Sequence, residues 1–397
     1  MSEDLLFLSH RIPYPPNKGD KIRSFHLLKH LSRSYKVHLG TFIDDEADWK
    51  HVEDVKKMCG KCCILPMNPR SSKFRGLSGL VSGKALTIPC YENRVLQAWV
   101  DNLMLNLSVE RIVVFSSAMA QYVEKFEQAL RIMDFVDVDS DKWTQYAKAK
   151  AWPLNLLYRR EGRLLEAYER KIAGAFDASF FVSPHEADLF KTLAPESSDR
   201  IHAYCNGVDA DYFSPDRAYP NPYAAHEQAI VFTGAMDYWP NIDAVKWFAQ
   251  EVLPLVLTKK PEARFYIVGS NPSRAVTQLA SLPGIAVTGR VDDVRPYLAH
   301  AMLAVAPLRI ARGIQNKVLE AMSMGKPVVA TPQALEGIAG GEGCLVGHDA
   351  GEFASLVLDL LDSVRSMGEA GRSCILEHYD WDRNLTTLSS YLDIGTA

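Results

Sequence analysis

One stretch of the chain decides the fold: Arg312-Gly-Ile-Gln-Asn-Lys-Val-Leu-Glu-Ala-Met-Ser-Met-Gly-Lys-Pro-Val-Val-Ala-Thr331. It predicts a loop, a helix from about Asn316 to Met324, a stop signal at Gly325-Lys326-Pro327 and then a buried strand. A helix followed closely by an apolar strand is the repeating unit of α/β proteins.

The loop that opens this stretch predicts an anion site. Arg312 and Lys317 lie beside a helix N-terminus, where amide donors and the helix dipole favour a phosphate. Glu320 follows one turn later on the face of Lys317, where its carboxylate can accept hydrogen bonds from the vicinal hydroxyls of a sugar. Together they indicate a nucleotide diphosphate, and an ordinary βα corner with solvated charges is the alternative.

Short apolar runs alternate with helical stretches on both sides of this segment. The candidate strands are Leu5–Ser9, Lys36–Phe42, Cys63–Pro66, Arg111–Phe115, Ile132–Val138, Ala178–Val182, Ile230–Thr233, Arg264–Val268, Ile285–Val287, Met302–Ala306 and Pro327–Ala330. Runs without polar alternation indicate parallel sheets covered on both faces, and hence a doubly wound α/β fold.

The length of the chain predicts more than one domain. At 397 residues it exceeds one compact core, and a Pro-rich linker at 211–223 separates two strand-rich halves. We expect an N-terminal domain at 1–205, a C-terminal domain at 206–379 and a last helix at 380–397 that returns to the first domain. Both sheets would present the carboxyl ends of their strands to a cleft between the domains, where ligands bind.

Composition narrows the function classes. The chain is 47% hydrophobic and 23% charged with a net charge of −4, which gives no reason to expect nucleic-acid binding. No apolar run reaches the length of a membrane span, and we expect a cytoplasmic protein. Of seven cysteines, only Cys59, Cys62 and Cys63 are spaced like metal ligands, and no second pair accompanies them. We therefore expect reduced thiols and no metal.

Several motifs together resemble one enzyme family. They are Asn206-Gly-Val-Asp-Ala-Asp-Tyr-Phe-Ser-Pro215, Gly269 after a strand, Thr288-Gly-Arg-Val-Asp-Asp-Val-Arg-Pro-Tyr297 and Lys317-Val-Leu-Glu-Ala-Met-Ser-Met-Gly-Lys-Pro-Val-Val329. They resemble the retaining GT-B glycosyltransferases of the glycosyltransferase family 4 type, and the resemblance covers most of the chain. The segments 9–23 and 134–143 are similar to sugar transferases of bacterial exopolysaccharide and PEP-CTERM sorting clusters.

The resemblance implies a hexosyltransferase with two Rossmann-like domains that face each other across a cleft. It implies a nucleotide-sugar donor, a glycan or lipid-linked sugar acceptor, and neither a metal nor another cofactor. By motif position, Glu320 holds the ribose hydroxyls, and Arg290 and Val291 lie against the base. The diphosphate is held by Lys317 and by the loop amides of Gly313, Ile314, Gln315 and Asn316.

Two positions depart from the family pattern. Arg312 stands where the Glu-x7-Glu pattern has its first glutamate, which contacts the donor sugar in relatives. The other is the loop after Thr233, where many relatives carry an Arg and a Lys for the diphosphate and this chain has Gly234-Ala-Met-Asp-Tyr-Trp-Pro-Asn241. An Arg at position 312 can pair with a phosphate or with a sugar carboxylate. We hypothesise that Arg312 supplies the cation that the loop after Thr233 lacks.

Two segments of the first half are further candidates. A glycine loop of Asn17, Lys18, Gly19 and Asp20 precedes a helix that begins near Lys21, and its position after the first strand indicates a ligand contact. Asp20 is equally a candidate helix N-cap. The run from Asp137 to Asp141 closes a strand, and either Asp137 or Asp139 is a candidate to orient the acceptor hydroxyl or to stabilise an oxocarbenium charge.

Three further patterns have structural alternatives. Ser183 and Glu186 fit a capping box, whereas Tyr238 and Trp239 fit either a cleft or a core. Cations recur at Lys56, Lys57, Lys61, Arg70, Lys73, Arg75 and Lys84, the later ones interleaved with Phe74, Leu77, Leu80 and Val81. This composition predicts contact with an anionic membrane on its inner face, and a solvated surface is the alternative.

Other functions stay open. A nucleotide-sugar 2-epimerase shares the two-domain plan but needs paired acid and base carboxylates. Arg312 keeps open a catalytically silent homologue that acts as a binding partner. A dehydrogenase is disfavoured because neither half opens with Gly-x-Gly-x-x-Gly after its first strand.

Overall fold

The computed structural model describes residues 3–16, 18–148, 151–311, 313–338, 343–362 and 365–393. The chain divides into two compact units. Unit 1 comprises Met1–Cys205 with Leu385–Ala397, and unit 2 comprises Asn206–Asn384.

The described residues form thirteen strands. They are β1 Asp4–Ser9, β2 Lys36–Ile43, β3 Cys62–Pro66, β4 Arg111–Phe115, β5 Leu130–Val136, β6 Ala178–Phe181, β7 Ile201–Ala203, β8 Gln228–Thr233, β9 Ala263–Val268, β10 Ile285–Gly289, β11 Leu303–Ala306, β12 Val328–Ala330 and β13 Cys344–Val346.

Sixteen α-helices lie in the same ranges. They are α1 Gly19–Ser34, α2 Val52–Lys57, α3 Pro69–Ser82, α4 Thr87–Cys90, α5 Arg94–Asn106, α6 Asp139–Lys148, α7 Leu154–Ala175, α8 Pro184–Leu193, α9 Trp239–Trp247, α10 Leu253–Lys259, α11 Arg274–Thr277, α12 Arg295–His300, α13 Asn316–Ser323, α14 Ala350–Asp362, α15 Arg365–His378 and α16 Trp381–Asp393. Short 3₁₀ turns, and a π turn at Phe248–Val252, join some of them. None of the helices described is both long and apolar enough to cross a bilayer.

Unit 1 is built on a seven-stranded parallel sheet in the order β3-β2-β1-β4-β5-β6-β7. Its interior strand β1 has Leu5, Leu6, Phe7 and Leu8 completely buried. A strand that is apolar on both faces requires helices on both sides, which explains why this run lacks polar alternation.

A buried ion pair joins α1 to this sheet. Arg23 Nε donates to Asp134 Oδ2 of β5 at 2.9 Å, and Arg23 Nη1 donates to the carbonyl of Tyr204 at 3.0 Å. The guanidinium also lies 3.6 Å from the ring centre of Tyr204, and the Tyr204 hydroxyl donates to Asp134. Both charges are fully buried, so the added hydrogen bonds are needed to offset their desolvation.

Unit 2 is built on a six-stranded parallel sheet in the order β10-β9-β8-β11-β12-β13. Its strands β8, β9 and β10 end beside one another, and their turns are joined by backbone bonds from Gly234 to Val268 at 3.0 Å and from Gly269 to Gly289 at 3.2 Å. A Cβ on Gly269 would lie 1.7 Å from the Gly234 carbonyl oxygen. Only glycine permits this approach of the two turns.

The predicted fold class is confirmed: both units are Rossmann-like, with parallel sheets and helices. The prediction missed β7 and β13, which have three residues each. It also extended the fifth strand to Val138, whereas β5 ends at Val136. Val136 has φ 71°, a left-handed conformation that a β-branched residue rarely adopts and that ends the strand.

The amphipathic pattern predicted for the C-terminal helix is present in α16. Trp381, Leu385, Leu388 and Leu392 are all buried. In unit 1, the carbonyl of Leu392 accepts a hydrogen bond of 2.9 Å from Arg111 Nε. The chain passes from unit 2 back into unit 1 at Leu385, within this helix.

Candidate functional site

Helix α13 of unit 2 presents one polar edge and one apolar face. Val318, Leu319, Ala321 and Met322 are buried against the unit, whereas Asn316, Lys317 and Glu320 are only partly buried. The helix therefore packs by its apolar stripe and leaves its charged residues at the carboxyl ends of the strands.

The helix ends where the sequence predicts. The N–H of Lys326 donates to the Ala321 carbonyl at 3.0 Å, and the N–H of Gly325 donates to the Met322 carbonyl at 2.9 Å. With φ 65° at Gly325, these two bonds form a Schellman motif, which satisfies carbonyls that a helix end would otherwise leave unpaired. The rigid end fixes the axis of α13 and therefore the position of its N-terminus.

Lys317 is held in place by Asn241, which the sequence analysis missed. Lys317 Nζ donates to Asn241 Oδ1 at 2.6 Å, and Asn241 Nδ2 donates to the carbonyl of Ala235 at 2.9 Å. The second bond orients the amide so that its oxygen must face the ammonium group. Lys317 Nζ also lies 4.6 Å from the ring centre of Phe232 on β8, a favourable cation–π distance.

Gly234 keeps the space beside Lys317 open. A Cβ at Gly234 would lie 2.8 Å from Asn241 Nδ2 and 3.5 Å from Lys317 Nζ. Any larger side chain would therefore displace the amide that positions the lysine. Glycine at this position therefore preserves the Lys317–Asn241 arrangement.

Burial perturbs both charged groups of α13. Burial lowers the pKa of Lys317 to about 8, although the attraction of Glu320 opposes the change. Burial likewise raises the pKa of Glu320 to about 7, opposed by Lys317. Two groups whose charged forms are disfavoured in the same place are typical of a site that binds a charged or polar ligand.

The first turn of α13 carries an unsatisfied polar atom. Asn316 Oδ1 is buried and accepts no hydrogen bond from the part of the chain that the structure describes. Gly313 has φ 65° in the preceding loop, where Gln315 Nε2 donates to the Gly313 carbonyl at 3.0 Å and Ile314 is buried. Arg312, the second predicted cation, lies outside the described residues.

Two motifs that carried the family resemblance meet near Glu320. The Arg295 guanidinium carbon lies 3.7 Å from the ring centre of Tyr212, and Asp293 fixes Arg295 through a bond of 2.7 Å. Burial, together with Asp293 and Glu320 among other charges, raises the pKa of Tyr212. The sequence alone predicted no role for these side chains.

The residues predicted to contact a base lie further along the same edge. Arg290 is exposed and Val291 is partly buried, directly after β10. Two strands, β9 and β8, separate β10 from β11, which corresponds to about 14 Å between β10 and β11. Tyr238 and Trp239, for which a core position was one alternative, are both largely exposed.

In unit 1, Lys142 brings the two candidate carboxylates together. Lys142 Nζ lies 2.6 Å from Asp137 Oδ2 and 3.2 Å from Asp139 Oδ1. Burial would lower the pKa of Lys142, but Asp139 and Asp137 outweigh it and raise that pKa. The spacing of Asp139 and Lys142, three residues apart on α6, is a sequence signal that the analysis did not use.

The loop that carries these carboxylates is held from two sides. Val136, with its left-handed backbone, donates its N–H to Asp134 Oδ1 at 3.1 Å, and Val138 donates to Glu186 Oε2 at 2.8 Å. Ser183 caps α8 as predicted, accepting from the N–H of Glu186 at 3.2 Å. The Glu186 carboxylate therefore fixes the Asp137–Asp139 loop, a contact that the capping-box prediction did not include.

The glycine loop differs in one respect from its prediction. Helix α1 begins at Gly19 with Lys18 as N-cap residue and without a side-chain cap, so the alternative of Asp20 as N-cap is wrong. Asp20 instead pairs with Arg11 and with His10, the latter at 3.3 Å. Although burial opposes it, bonding to His10 and the charge of Arg11 hold the pKa of Asp20 well below its usual range.

The remaining predictions for these segments have mixed outcomes. Lys18 Nζ lies 3.8 Å from Asp45 Oδ2, and a Cβ on Gly19 would meet nothing within 4 Å. Asn17 lies outside the described residues. The cysteines are free, and the described ranges contain no group of three or more metal-binding side chains.

Comparisons with known proteins agree with this architecture. Residues 227–363 match the family model described as glycosyl transferases group 1, which covers about a third of the chain. Sucrose-phosphate synthase from Thermosynechococcus elongatus superposes with a TM-score of 0.68 at 15% identity, covering 99% of this chain and 98% of that structure. The chain has the GT-B fold.

Two other solved structures share this fold. WaaG, a glycosyltransferase involved in lipopolysaccharide biosynthesis, has a TM-score of 0.64 at 15% identity, covering 99% of this chain and 100% of that one. Anabaena HepE, in complex with UDP, has a TM-score of 0.64 at 14% identity with the same coverage.

One curated relative matches in sequence. D-inositol 3-phosphate glycosyltransferase 1 of Catenulispora acidiphila is 28% identical over 259 residues. The match spans 58% of this chain and 61% of that relative.

Proposed function

We propose that this protein is a glycosyltransferase that moves a sugar from a nucleotide-sugar donor to an acceptor hydroxyl. One observation carries the proposal: at the N-terminus of α13, Asn241 holds the Lys317 ammonium through a bond of 2.6 Å, and Glu320 follows one turn later. Cation, helix terminus and carboxylate are the groups that a diphosphate linked to a sugar requires. The match of residues 227–363 to group 1 glycosyl transferases supports the same conclusion.

The diphosphate would bind to Lys317 and to the amides of residues 313–316. An ammonium group has three hydrogen-bond donors, and Asn241 takes one of them. The others can point at phosphate oxygens, with Arg312 as a second cation. As the bond to the sugar breaks, negative charge builds up on the leaving diphosphate, and a desolvated cation stabilises it strongly. No metal ion is required in this scheme.

The sugar hydroxyls of the nucleotide would bind on the other side of this helix turn. Glu320 accepts from the ribose, and Asn316 Oδ1, unsatisfied within the described residues, accepts from a further hydroxyl of the ligand. Arg290 and Val291 would lie against the base. The complex of HepE with UDP, a protein of the same fold, supports the choice of a nucleoside diphosphate.

Chemistry at the acceptor would involve Asp137 or Asp139 of unit 1. Lys142 fixes one oxygen of each carboxylate, so the second oxygen of either can orient a hydroxyl. The family 4 type implies retention of anomeric configuration. We propose a glycan or lipid-linked acceptor in bacterial exopolysaccharide assembly, reached from the inner face of the membrane.

Calorimetric titration with UDP, GDP and dTDP tests the donor assignment. We expect one of them to bind, and Glu320→Ala to weaken its binding by about tenfold or more, because bonds to charged groups contribute about 1.5–3 kcal/mol. Glu251→Ala, an exposed glutamate of unit 2, is the matched control. If none of the three binds, or if both variants behave alike, the assignment is wrong.

A donor-hydrolysis assay separates an enzyme from a silent homologue. A glycosyltransferase releases nucleoside diphosphate slowly from its nucleotide sugar without acceptor, whereas a silent homologue binds the donor and releases nothing. Asp139→Asn should lower turnover far more than donor affinity, and Asp141→Asn on the same helix should change neither. An Asp139→Asn protein with normal turnover would leave Asp137 as the candidate.

A further inference from the structure

Helix α3 of unit 1 packs by its smallest residues. Among the helix side chains that the structure describes, Ser72, Gly76 and Gly79 are buried. A Cβ on Gly76 would lie 2.6 Å from the sulfur of Cys90, and one on Gly79 would lie 3.0 Å from the Lys84 carbonyl. The two glycines therefore let the helix backbone lie directly on residues 84–90.

This packing turns the apolar side chains of α3 outward. Phe74 is 75% exposed and Val81 is 93% exposed, with Leu77 and Leu80 about half exposed. The arrangement is the reverse of a helix on a soluble domain, which buries its large apolar residues and exposes its small and polar ones. Contiguous exposed apolar residues of this kind indicate a surface that something covers.

The segment that contains this helix carries charges of a single sign. Residues 69–84 contain Arg70, Lys73, Arg75 and Lys84 and no Asp or Glu, in a chain whose net charge is −4. This segment is therefore positively charged within a chain whose net charge is negative. Cations interleaved with outward apolar side chains are typical of helices that lie at the surface of an anionic bilayer.

A pocket with two arginines adjoins the same helix. It is lined by Arg75 and Ser78 of α3 and by Asn93 and Arg94 at the start of α5, with Glu92 beside them. Arg75 donates to Ser72 Oγ at 3.0 Å and to the Cys90 carbonyl at 3.3 Å. Neither arginine forms an ion pair with a carboxylate of the described chain. Two guanidinium groups, of which that of Arg75 is held by these bonds, suit a phosphate headgroup.

Helix α7 extends the apolar surface. Arg160 donates to the Gly79 carbonyl at 2.7 Å and so joins α7 to α3. Leu154 and Leu156, four to six residues before Arg160 or about 6–9 Å along the helix, are about half exposed, and Trp152, just before the helix, is 76% exposed. Tryptophan is enriched where proteins meet the membrane–water interface.

We propose that these residues form a membrane-docking surface, in which Phe74, Leu77, Leu80 and Val81 enter an anionic bilayer and Arg75 and Arg94 hold a lipid phosphate. The outward apolar face, the cation-only segment and the arginine pocket point to lipid rather than to a protein or a second copy of the chain. The proposal specifies the membrane contact within the proposed function and rests on it for the biological context. Its test requires no glycosyl transfer.

Co-sedimentation of the full chain with vesicles tests the docking surface. We expect binding to phosphatidylcholine vesicles that contain phosphatidylglycerol, little binding to phosphatidylcholine alone, and weakening by salt. Val81→Glu and Phe74→Ser should each lower the partition coefficient about tenfold, because each removes apolar contact with the bilayer. Arg75→Gln and Arg94→Gln should each lower it about fivefold on phosphatidylglycerol vesicles only.

Leu105→Glu is the matched control. Leu105 is 85% exposed and lies eleven residues beyond Arg94 on α5, about 16 Å away along the helix. The proposal is overturned if the wild type does not bind, if binding ignores phosphatidylglycerol, or if Leu105→Glu reduces binding as much as Val81→Glu. It is also overturned if sedimentation velocity shows that Val81→Glu dissociates a dimer and vesicles do not bind. Nucleoside diphosphate calorimetry on the same variants reports separately on the proposed function.

Discussion

Replacing Lys317 with methionine should make the protein more stable and a weaker nucleotide binder. The pKa of Lys317 falls from 10.5 to about 8 on folding because the ammonium group is desolvated, which corresponds to about 3 kcal/mol against the charged form. Methionine has a similar length and no charge, so it removes this cost. It also removes the bond to Asn241, which leaves an unpaired carbonyl and costs about 1 kcal/mol.

The expected net result is a gain of about 2 kcal/mol in the free energy of unfolding at pH 7. The pKa of Lys317 is lower in the folded than in the unfolded protein, so its cost is complete below about pH 8 and fades as the pH rises towards 10.5. The advantage of methionine should fade over the same range. Urea unfolding of both proteins at neutral and alkaline pH measures this difference.

Nucleotide binding should change in the opposite sense. A phosphate bonded to the ammonium group contributes about 1.5–3 kcal/mol, so Lys317→Met should bind UDP about 10- to 100-fold more weakly. Lys259→Met, at an exposed lysine of the same unit, should leave both stability and binding nearly unchanged. If Lys317→Met is less stable than the wild type, the charge of Lys317 does not lower the stability of the fold. If this variant also binds UDP as tightly as the wild type does, Lys317 does not bind the diphosphate.

Three further predictions concern the two units. UDP binding should take up protons near pH 8 and weaken above it, because the diphosphate favours the charged form of Lys317. Calorimetry in buffers of different ionisation enthalpy measures the proton uptake, and an absence of uptake would contradict the assignment of Lys317 to the diphosphate. Asp134→Asn should lower the free energy of unfolding by about 3–5 kcal/mol, since it leaves the buried Arg23 guanidinium without its counter-charge. Urea denaturation measures the loss, and a change below about 1 kcal/mol would show that the pair does not stabilise the fold in this way. Gly269→Ala should lower the melting temperature by several degrees, because its Cβ would lie 1.7 Å from the Gly234 carbonyl oxygen. An unchanged melting temperature by calorimetry would show that the turns after β8 and β9 can move apart without a loss of stability.

The fold followed from the sequence where its signals were local. Interior strands such as β1 consist of consecutive apolar residues that no amphipathic helix pattern explains. The stop at Gly325-Lys326-Pro327 required only knowledge of how helices end. Strand β12 has only three residues but was found because it follows that stop. Strands β7 and β13 are equally short and follow no helix stop of this kind, so only pairing with β6 and β12 defines them.

The sites depended more on contacts between distant residues. Lys317 and Glu320 lie three residues apart on one helix, so the sequence could place them together. Asn241, which orients Lys317, is 76 residues away, and only the order of β8 and β11 in the sheet brings it there. Asp20 shows the opposite error: its local sequence fits an N-cap, but its carboxylate pairs with Arg11 and His10 instead.

Both proposals are based on features of the chain that lower its stability. The charged forms of Lys317 and Glu320 are both disfavoured because burial removes them from solvent. Helix α3 exposes its large apolar residues and buries its glycines. Neither arrangement strengthens the folded state of the chain alone. Under the two proposals, a bound diphosphate would relieve the cost of the first and an anionic bilayer would cover the second. Departures from the ordinary rules of stable packing concentrate at functional sites. A variant that removes such a departure should therefore gain stability and lose binding, and the two effects can be measured separately.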